Sequence, residues 1–158
     1  MFKLLFILFL CLNTLFATGD LSLKKVKFFG ELKEKSSLRV SIKDIEKLGY
    51  HNFVMEDPHL LKGAKFGGVF LKDFAAYYGK SSLSSLVFTA IDGYEITISK
   101  EEWENDIILL STQYNDKYTS YKTKGPLRIV YPKYNSNSKK YSKNLINWIW
   151  MIKTIEFK

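Results

Sequence analysis

Side chains suited to metal chemistry are few in this chain of 158 residues. Its two histidines, His51 and His59, are eight positions apart, and Glu56 and Asp57 lie between them. A zinc site needs three or four convergent ligands at short spacing, and no cysteine is near enough in sequence to complete this set. We therefore interpret His51 as a strand residue and His59 as a loop residue, and predict no metal site.

Motifs for nucleophilic catalysis and phosphate binding are also missing from the sequence. No Gly-x-Ser-x-Gly elbow is present, and Gly63–Gly68 lacks the following Lys-Ser/Thr of a phosphate-binding loop. Glu101, Glu102 and Glu104 are typical of a solvated helix face, because the dipole near a helix N-terminus favours acidic side chains. Residue types alone therefore predict no enzyme.

The N-terminus has the three parts of a secretory signal peptide. Lys3 gives a short basic region, Leu4–Leu12 is an uninterrupted apolar run, and Ala17–Gly19 supplies small residues at the spacing of a cleavage site. The apolar run is shorter than the roughly 20 residues of a transmembrane helix. We predict a signal peptide over 1–19, cleaved after the first or last residue of the small triplet. The protein is then periplasmic or secreted and meets the membrane only through this transient segment.

Three alternatives stay open for this segment: a buried core helix, an uncleaved membrane anchor, or lipidation at Cys11. The large residues Phe9 and Leu10 do not suit a lipidation motif. Removal of the signal peptide also removes Cys11, so that the mature domain over 20–158 contains no thiol. Such a domain forms no disulfide and holds no metal by thiolate.

The mature domain is basic. Without Lys3, 23 basic residues stand against 16 acidic residues, which gives a formal charge of +7. In an exported protein this balance indicates a small anionic ligand, anionic lipid head groups or an acidic protein partner, and export argues against nucleic acid. The alternative is that the charge serves solubility alone.

Apolar periodicity and turn residues predict a series of short strands. The predicted strands cover 24–29, 37–40, 50–55, 86–91, 94–98 and 127–131, with a final strand inside 144–157 after a helical turn. Asp92 and Gly93 form the turn of a predicted hairpin. The segment 107–110 fits either a strand or a buried turn of helix, and 133–143 fits a solvated loop.

Short helices are predicted between these strands. One follows the N-cap Ser41, a second covers 71–78, and a third runs from the capping box of Ser99 and Glu102 through Asn105. Strands that alternate irregularly with short helices predict one domain of the α+β class, with a mixed β-sheet.

Five motifs occur in an order that resembles a known superfamily. They are Phe66–Phe74 (FGGVFLKDF), Asp92–Ile98 (DGYEITI), Asp106–Leu110 (DIILL), Gly125–Pro132 (GPLRIVYP) and Trp148–Glu156 (WIWMIKTIE). In this order they resemble the sulfite-oxidase-type molybdopterin-binding domain, and more closely its short exported bacterial members. The resemblance covers the chain from about Val26 to Lys158.

The resemblance implies an α+β fold with a molybdopterin cofactor held in a cleft by backbone groups and basic side chains. Tyr94 is the position that looks like the active-site tyrosine of full enzymes, which makes it the candidate catalytic residue. The candidate ligand-binding residues are Asp92, Tyr94, Arg128, Lys139, Lys140 and Lys143.

The chain departs from the superfamily at the molybdenum ligand. Full enzymes bind the metal by a cysteine thiolate, but the corresponding segment, Tyr50–His59, offers only Met55 and the two histidines. A thioether or an imidazole is a poor replacement for this soft, charged ligand. We therefore favour a binding module for a small anionic ligand or a partner protein, without metal catalysis. The alternatives are a molybdopterin-dependent oxidoreductase and an accessory subunit of an exported redox or sensory complex.

Overall fold

A computed structural model describes residues 19–138 and 143–158 of the chain. The predicted signal peptide up to residue 18 lies outside these residues, and so do Lys139 and Lys140. Within the described ranges, no helix has the length and apolar character needed to cross a membrane.

Ten strands and three α-helices make up the described domain. The strands are Lys25–Gly30 (β1), Ser37–Ser41 (β2), His51–Asp57 (β3), Lys62–Phe70 (β4), Ser85–Ala90 (β5), Glu95–Ser99 (β6), Leu109–Tyr114 (β7), Lys117–Tyr118 (β8), Arg128–Val130 (β9) and Ile152–Phe157 (β10). The helices are Ile42–Glu46 (α1), Leu71–Tyr78 (α2) and Lys100–Asn105 (α3). Three 3₁₀ helices cover Leu21–Leu23, Tyr121–Thr123 and Lys143–Asn147.

The strands form two five-stranded sheets. The first sheet has the order β2-β1-β10-β5-β6, in which β1 and β10 are parallel and the other pairs are antiparallel. The second sheet has the order β3-β4-β7-β8, with β9 also paired to β7, and all of its pairs are antiparallel. The predicted α+β class with a mixed sheet is confirmed.

Local sequence signals place the short helices where they were predicted. The Ser41 hydroxyl accepts a hydrogen bond from the backbone N–H of Asp44 at 3.2 Å, and α1 begins directly after this cap. At α3, Ser99 and Glu102 form a reciprocal capping box. Each cap satisfies backbone N–H groups that the first turn of a helix leaves without a partner.

Strand β4 is the longest element that the sequence analysis did not assign; the two-residue strand β8 is another. The sequence of β4 contains Gly63, Gly67 and Gly68, and glycine is depleted in strands because it loses much entropy and packs no side chain. Here the glycines allow close approach: a Cβ at Gly67 would collide with the Tyr50 ring, and one at Gly68 with the backbone of Leu110. Long-range pairing to β3 and β7 therefore decides this strand.

The segment 107–110, for which the sequence fits either a strand or a helical turn, leads into a strand. Ile108 accepts the backbone N–H of Leu71 at 2.8 Å, and β7 begins at Leu109. Asn115 and Asp116 follow β7 with φ values of +50° and +60°, which is the left-handed backbone of a tight hairpin turn.

Helix α1 is joined to the second sheet through Glu46. One carboxylate oxygen accepts hydrogen bonds from the hydroxyl of Thr112 at 2.5 Å and from the amide of Gln113 at 2.9 Å. The other accepts from the Tyr118 hydroxyl at 2.6 Å. Burial and this carboxylate raise the pKa of Tyr118 to about 12.

Phe28 lies at the centre of the aromatic core between the first sheet and α2. It is fully buried, and its ring centroid is 5.1 Å from that of Phe74, 5.3 Å from Tyr78 and 6.1 Å from Phe157. The edge-to-face pairs add to the free energy gained by burying apolar surface.

We predict that Phe28→Ala lowers the free energy of unfolding by about 3–5 kcal/mol, because it leaves a cavity among three aromatic rings. Urea denaturation measures this change. Phe29→Ala is the matched control, since the neighbouring ring is only half-buried, and we expect a loss well under half as large. Equal losses for the two variants would contradict the central role of Phe28.

We predict that Gly68→Ala lowers the free energy of unfolding by about 1–3 kcal/mol, because the new methyl group meets backbone that must move. Gly63→Ala in the same strand is the control, since a Cβ there has no neighbour within 4 Å among the described residues. Its effect should stay within about 0.5 kcal/mol. An unchanged free energy of unfolding in Gly68→Ala would contradict this prediction, because it would show that β4 and β7 move apart easily enough to accept the methyl group.

Candidate functional site

A cleft of about 270 Å³ lies where three segments of the chain meet. They are the β3–β4 turn, the end of β5 with the β5–β6 turn, and the segment that runs from the 3₁₀ helix Lys143–Asn147 to β10. The lining residues are His59, Ala90, Asp92, Tyr94, Leu145, Ile146, Trp148, Ile149 and Trp150. The cleft therefore has aromatic and aliphatic walls with a few polar groups, which is the usual composition of a small-molecule site.

Two other cavities, beside α2 and α3, have partnered polar groups. Lys72 lines both, and its ammonium lies 2.9 Å from a carboxylate oxygen of Glu104. Lys33 lines one of them and donates to the backbone carbonyl of Ala76 at 2.6 Å. The ammonium groups of Lys72 and Lys33 are therefore already partnered within these cavities.

Asp92 and Tyr94, two predicted site residues, both line the cleft. They flank Gly93, whose φ of +89° suits the tight turn, and the Asp92 carboxylate accepts the backbone N–H of Tyr94 at 3.0 Å. The Tyr94 hydroxyl donates to the backbone carbonyl of Ile146 at 2.8 Å. Tyr94 thus joins the β5–β6 turn to the opposite wall.

His59 enters the cleft from the β3–β4 turn. Its ring meets Trp150 edge to face at 4.7 Å and Trp148 at 6.1 Å between centroids, and its backbone N–H donates to the buried Asp57 carboxylate at 2.9 Å. Burial lowers the pKa of His59, and the charges of Lys124 and Arg128 lower it further against the opposing effect of Asp57. The imidazole is therefore uncharged at neutral pH.

Arg128, the third predicted site residue, lies behind the cleft and does not line it. It is 7% exposed, and its guanidinium carbon lies 4.7 Å from the ring centroid of Tyr114 and 5.6 Å from that of Phe66. It donates one hydrogen bond, to the carbonyl of Thr123 at 3.3 Å. Within residues 19–138 and 143–158 it has no carboxylate at ion-pair distance. Burial lowers its pKa, against the opposing charge of Asp57.

Buried polar groups surround Phe66. The indole nitrogen of Trp148 is buried without a hydrogen-bond partner in the described part of the chain. The Tyr114 hydroxyl is also buried, and burial together with the nearby Asp57 carboxylate raises its pKa. The Tyr114 and Trp148 rings lie 5.2 and 6.0 Å from that of Phe66, which also contacts Arg128. Native proteins rarely leave a buried polar group such as the Trp148 nitrogen without a partner.

Of the three predicted lysines, Lys139 and Lys140 lie outside the described residues. Lys143 begins the 3₁₀ helix Lys143–Asn147, which carries Leu145 and Ile146 into the cleft wall. Their proposed role in ligand binding stays a prediction.

The sequence analysis did not name Trp148 or Trp150 among the candidate site residues. Trp148 is 4% exposed, so that it belongs to the core as well as to the cleft wall. Their spacing of two residues was the available signal, because alternate residues of an extended segment face the same side. No local signal linked either tryptophan to His59, which is distant in sequence.

The donor set does not fit a molybdenum cofactor bound by a thiolate. His51 stacks on Phe70 at 3.9 Å, and a whole strand separates it from His59. Among the described residues, no group of three or more His, Cys, Asp or Glu side chains is placed to hold a metal ion. Residues 19–138 and 143–158 therefore show no cluster that could take the place of the cysteine thiolate.

Comparison with known proteins supports a distant relationship at the level of the fold. No family model and no curated protein sequence matches this chain. The chain is similar to the crystal structure of the sulfane dehydrogenase SoxCD from Paracoccus pantotrophus, with 13% sequence identity and a TM-score of 0.59. The match covers 87% of this chain and 39% of that one, so that this chain spans about two fifths of the enzyme's length. The domain therefore has an α+β fold related to that of an oxidoreductase.

Proposed function

We propose that this exported domain binds a small anionic ligand at the cleft and carries out no molybdenum-based catalysis. The observation that supports it best is the buried Arg128 guanidinium, which makes one hydrogen bond and no ion pair within the described residues. The export itself is inferred from the N-terminal sequence pattern.

The energetics of buried charge favour an anionic ligand. Burying a charge costs several kcal/mol unless the charge is paired and hydrogen-bonded. Arg128 lies behind the cleft, so an oxyanion such as a carboxylate, sulfate or phosphate in the cleft compensates its charge through the low-dielectric interior. Lys124, whose ammonium lies 4.7 Å from the Trp150 ring centroid, adds positive charge on the same side.

The walls of the cleft favour a ligand with a flat ring. Tyr94, Trp148 and Trp150 line a volume of about 270 Å³, which is close to the lower end of the usual range for ligand pockets. Aromatic rings pack against planar groups in offset or edge-to-face contact. We therefore propose a small planar anion, such as a pterin carboxylate, as the ligand class.

The main alternative is a molybdopterin-dependent oxidoreductase, which the likeness to a dehydrogenase fold favours. An accessory subunit of a redox or sensory complex is compatible with the same likeness. We expect that mature protein purified from its exported compartment contains far less than one molybdenum per chain by elemental analysis. Stoichiometric molybdenum together with a pterin would contradict the proposal.

We predict that sulfate and pterin-6-carboxylate bind saturably and change the fluorescence of the two cleft tryptophans. Arg128→Met should raise both dissociation constants at least about tenfold, because it removes the buried positive charge behind the cleft. Lys100→Met, which removes one charge away from the cleft, is the control and should change them less than about twofold.

Arg128→Lys separates geometry from charge in this test. It keeps the positive charge and loses the planar fork, so that binding should weaken by an intermediate amount. Urea denaturation of each variant shows whether it is folded. A wild-type protein that binds neither probe, or an Arg128→Met variant that binds both normally, would contradict the proposal.

We predict that sulfate binds more tightly as the pH falls from about 8 to about 5. His59 is uncharged in the free protein because burial, Lys124 and Arg128 lower its pKa. A bound anion favours the imidazolium form and raises that pKa, and by linkage protonation must then strengthen binding. Sulfate itself keeps its charge over this range.

Titration calorimetry at several pH values measures this dependence, and His59→Gln should remove it while leaving binding at about pH 8 within twofold. An unchanged pH dependence in His59→Gln would place the titrating group elsewhere.

A further inference from the structure

Several exposed apolar side chains belong to the segments that border the cleft, and two of them, Tyr94 and Ile146, line it themselves. Nine large hydrophobic residues of the described chain are exposed, and five of them belong to the segments that border the cleft. These five define the mouth patch: Leu60 (45% exposed), Leu61 (76%), Ile91 (42%), Tyr94 (49%) and Ile146 (70%). Apolar residues scattered singly need no explanation, but a group around a concavity is typical of an interaction site.

The patch comes from three separate segments. Leu60 and Leu61 follow directly after His59 in the β3–β4 turn, and Ile91 precedes Asp92 in the β5–β6 turn. Ile146 belongs to the 3₁₀ helix on the opposite wall. The tertiary fold thus brings together apolar groups that are far apart in sequence.

Turn chemistry does not explain the leucine at position 61. Leu61 has a φ of +50°, a backbone conformation in which glycine and asparagine are the usual residues. The end of this hairpin also lacks support from the rest of the sheet, because β7 pairs with β4 only from Phe66 onward. A two-stranded hairpin with exposed leucines gains little stability by itself. The leucines are therefore better explained by an external contact.

Charge selects among the possible occupants of the patch. Lys62 follows Leu61, Lys124 lies over Trp150, and the whole mature domain carries a formal charge of +7. The positive charge of this chain repels a second copy of the same chain, whereas it attracts an acidic surface. A concave patch suits a protein surface that can fill it better than the flat surface of a bilayer.

We propose that the mouth patch docks an acidic partner protein that covers the cleft. The partner presents apolar side chains to Leu61 and Ile146 and carboxylates to the surrounding lysines. This proposal does not depend on the anionic ligand, because neither leucine of the hairpin lines the cleft.

The test identifies the partner and then measures its binding. A photo-reactive side chain replaces Leu61, or Leu23 as a matched exposed leucine on another element, in the full chain in its native cells. The protein captured from position 61 is purified, and its affinity for the full chain is measured by calorimetry. Leu61→Asn and Ile146→Ser should each weaken binding at least about tenfold, and Leu23→Asn less than about twofold.

Two further measurements make the test decisive. Leu61→Asn should leave the free energy of unfolding unchanged or slightly raised, because asparagine suits a positive φ, so that lost binding is not lost folding. Binding should weaken as salt rises, as expected for an acidic partner.

The proposal is overturned if position 61 captures no more protein than position 23, or if the captured protein is a second copy of this chain. It is equally overturned if vesicles of phosphatidylglycerol and phosphatidylethanolamine bind the wild type and not Leu61→Asn, which would assign the patch to a membrane surface.

Discussion

The position of β10 constrains the rest of this structure. The C-terminal strand lies in the middle of the first sheet, parallel to β1 and antiparallel to β5, so the last residues of the chain complete its core. The segment before β10 runs alongside β9 of the second sheet. There the backbones of Arg128 and Trp150 form an isolated antiparallel β-bridge, and the backbone N–H of Ile129 donates to the carbonyl of Ile149 at 2.9 Å. The candidate site lies at this junction because the two sheets meet there.

This junction is also where polar groups are buried with the fewest partners. Arg128 is stabilised mainly by the faces of Tyr114 and Phe66, and cation–π contacts of this kind contribute about 0.5–2 kcal/mol each. That is less than the cost of removing a guanidinium from water, although the nearby Asp57 charge offsets part of this cost. Glu46, by contrast, has hydrogen bonds on both carboxylate oxygens. Incomplete satisfaction at one place in an otherwise consistent fold is characteristic of a functional site.

The fold and the chemistry of the site lead to different conclusions. The likeness to a sulfane dehydrogenase shows a fold related to that of an oxidoreductase, but one fold supports many functions. The function must therefore be argued from the side chains at the site. Here Asp57 ends β3 and His59 lies in the turn that follows, and neither supplies the thiolate that the resemblance would require. Aromatic walls and a buried arginine favour recognition of a ligand over metal chemistry.

The sequence alone determined the features that depend on neighbouring residues. The Asp92–Gly93 hairpin and the capping box of α3 follow from short-range hydrogen bonds and backbone preferences, and the structure has them where they were predicted. Only the tertiary structure decided that the glycine-rich β4 is a strand, that Arg128 is buried, and that His59 meets Trp148 and Trp150. These features arise from pairing and packing between distant segments. The free energy that stabilises such contacts appears only when both partners are present, so neither local sequence carries the signal.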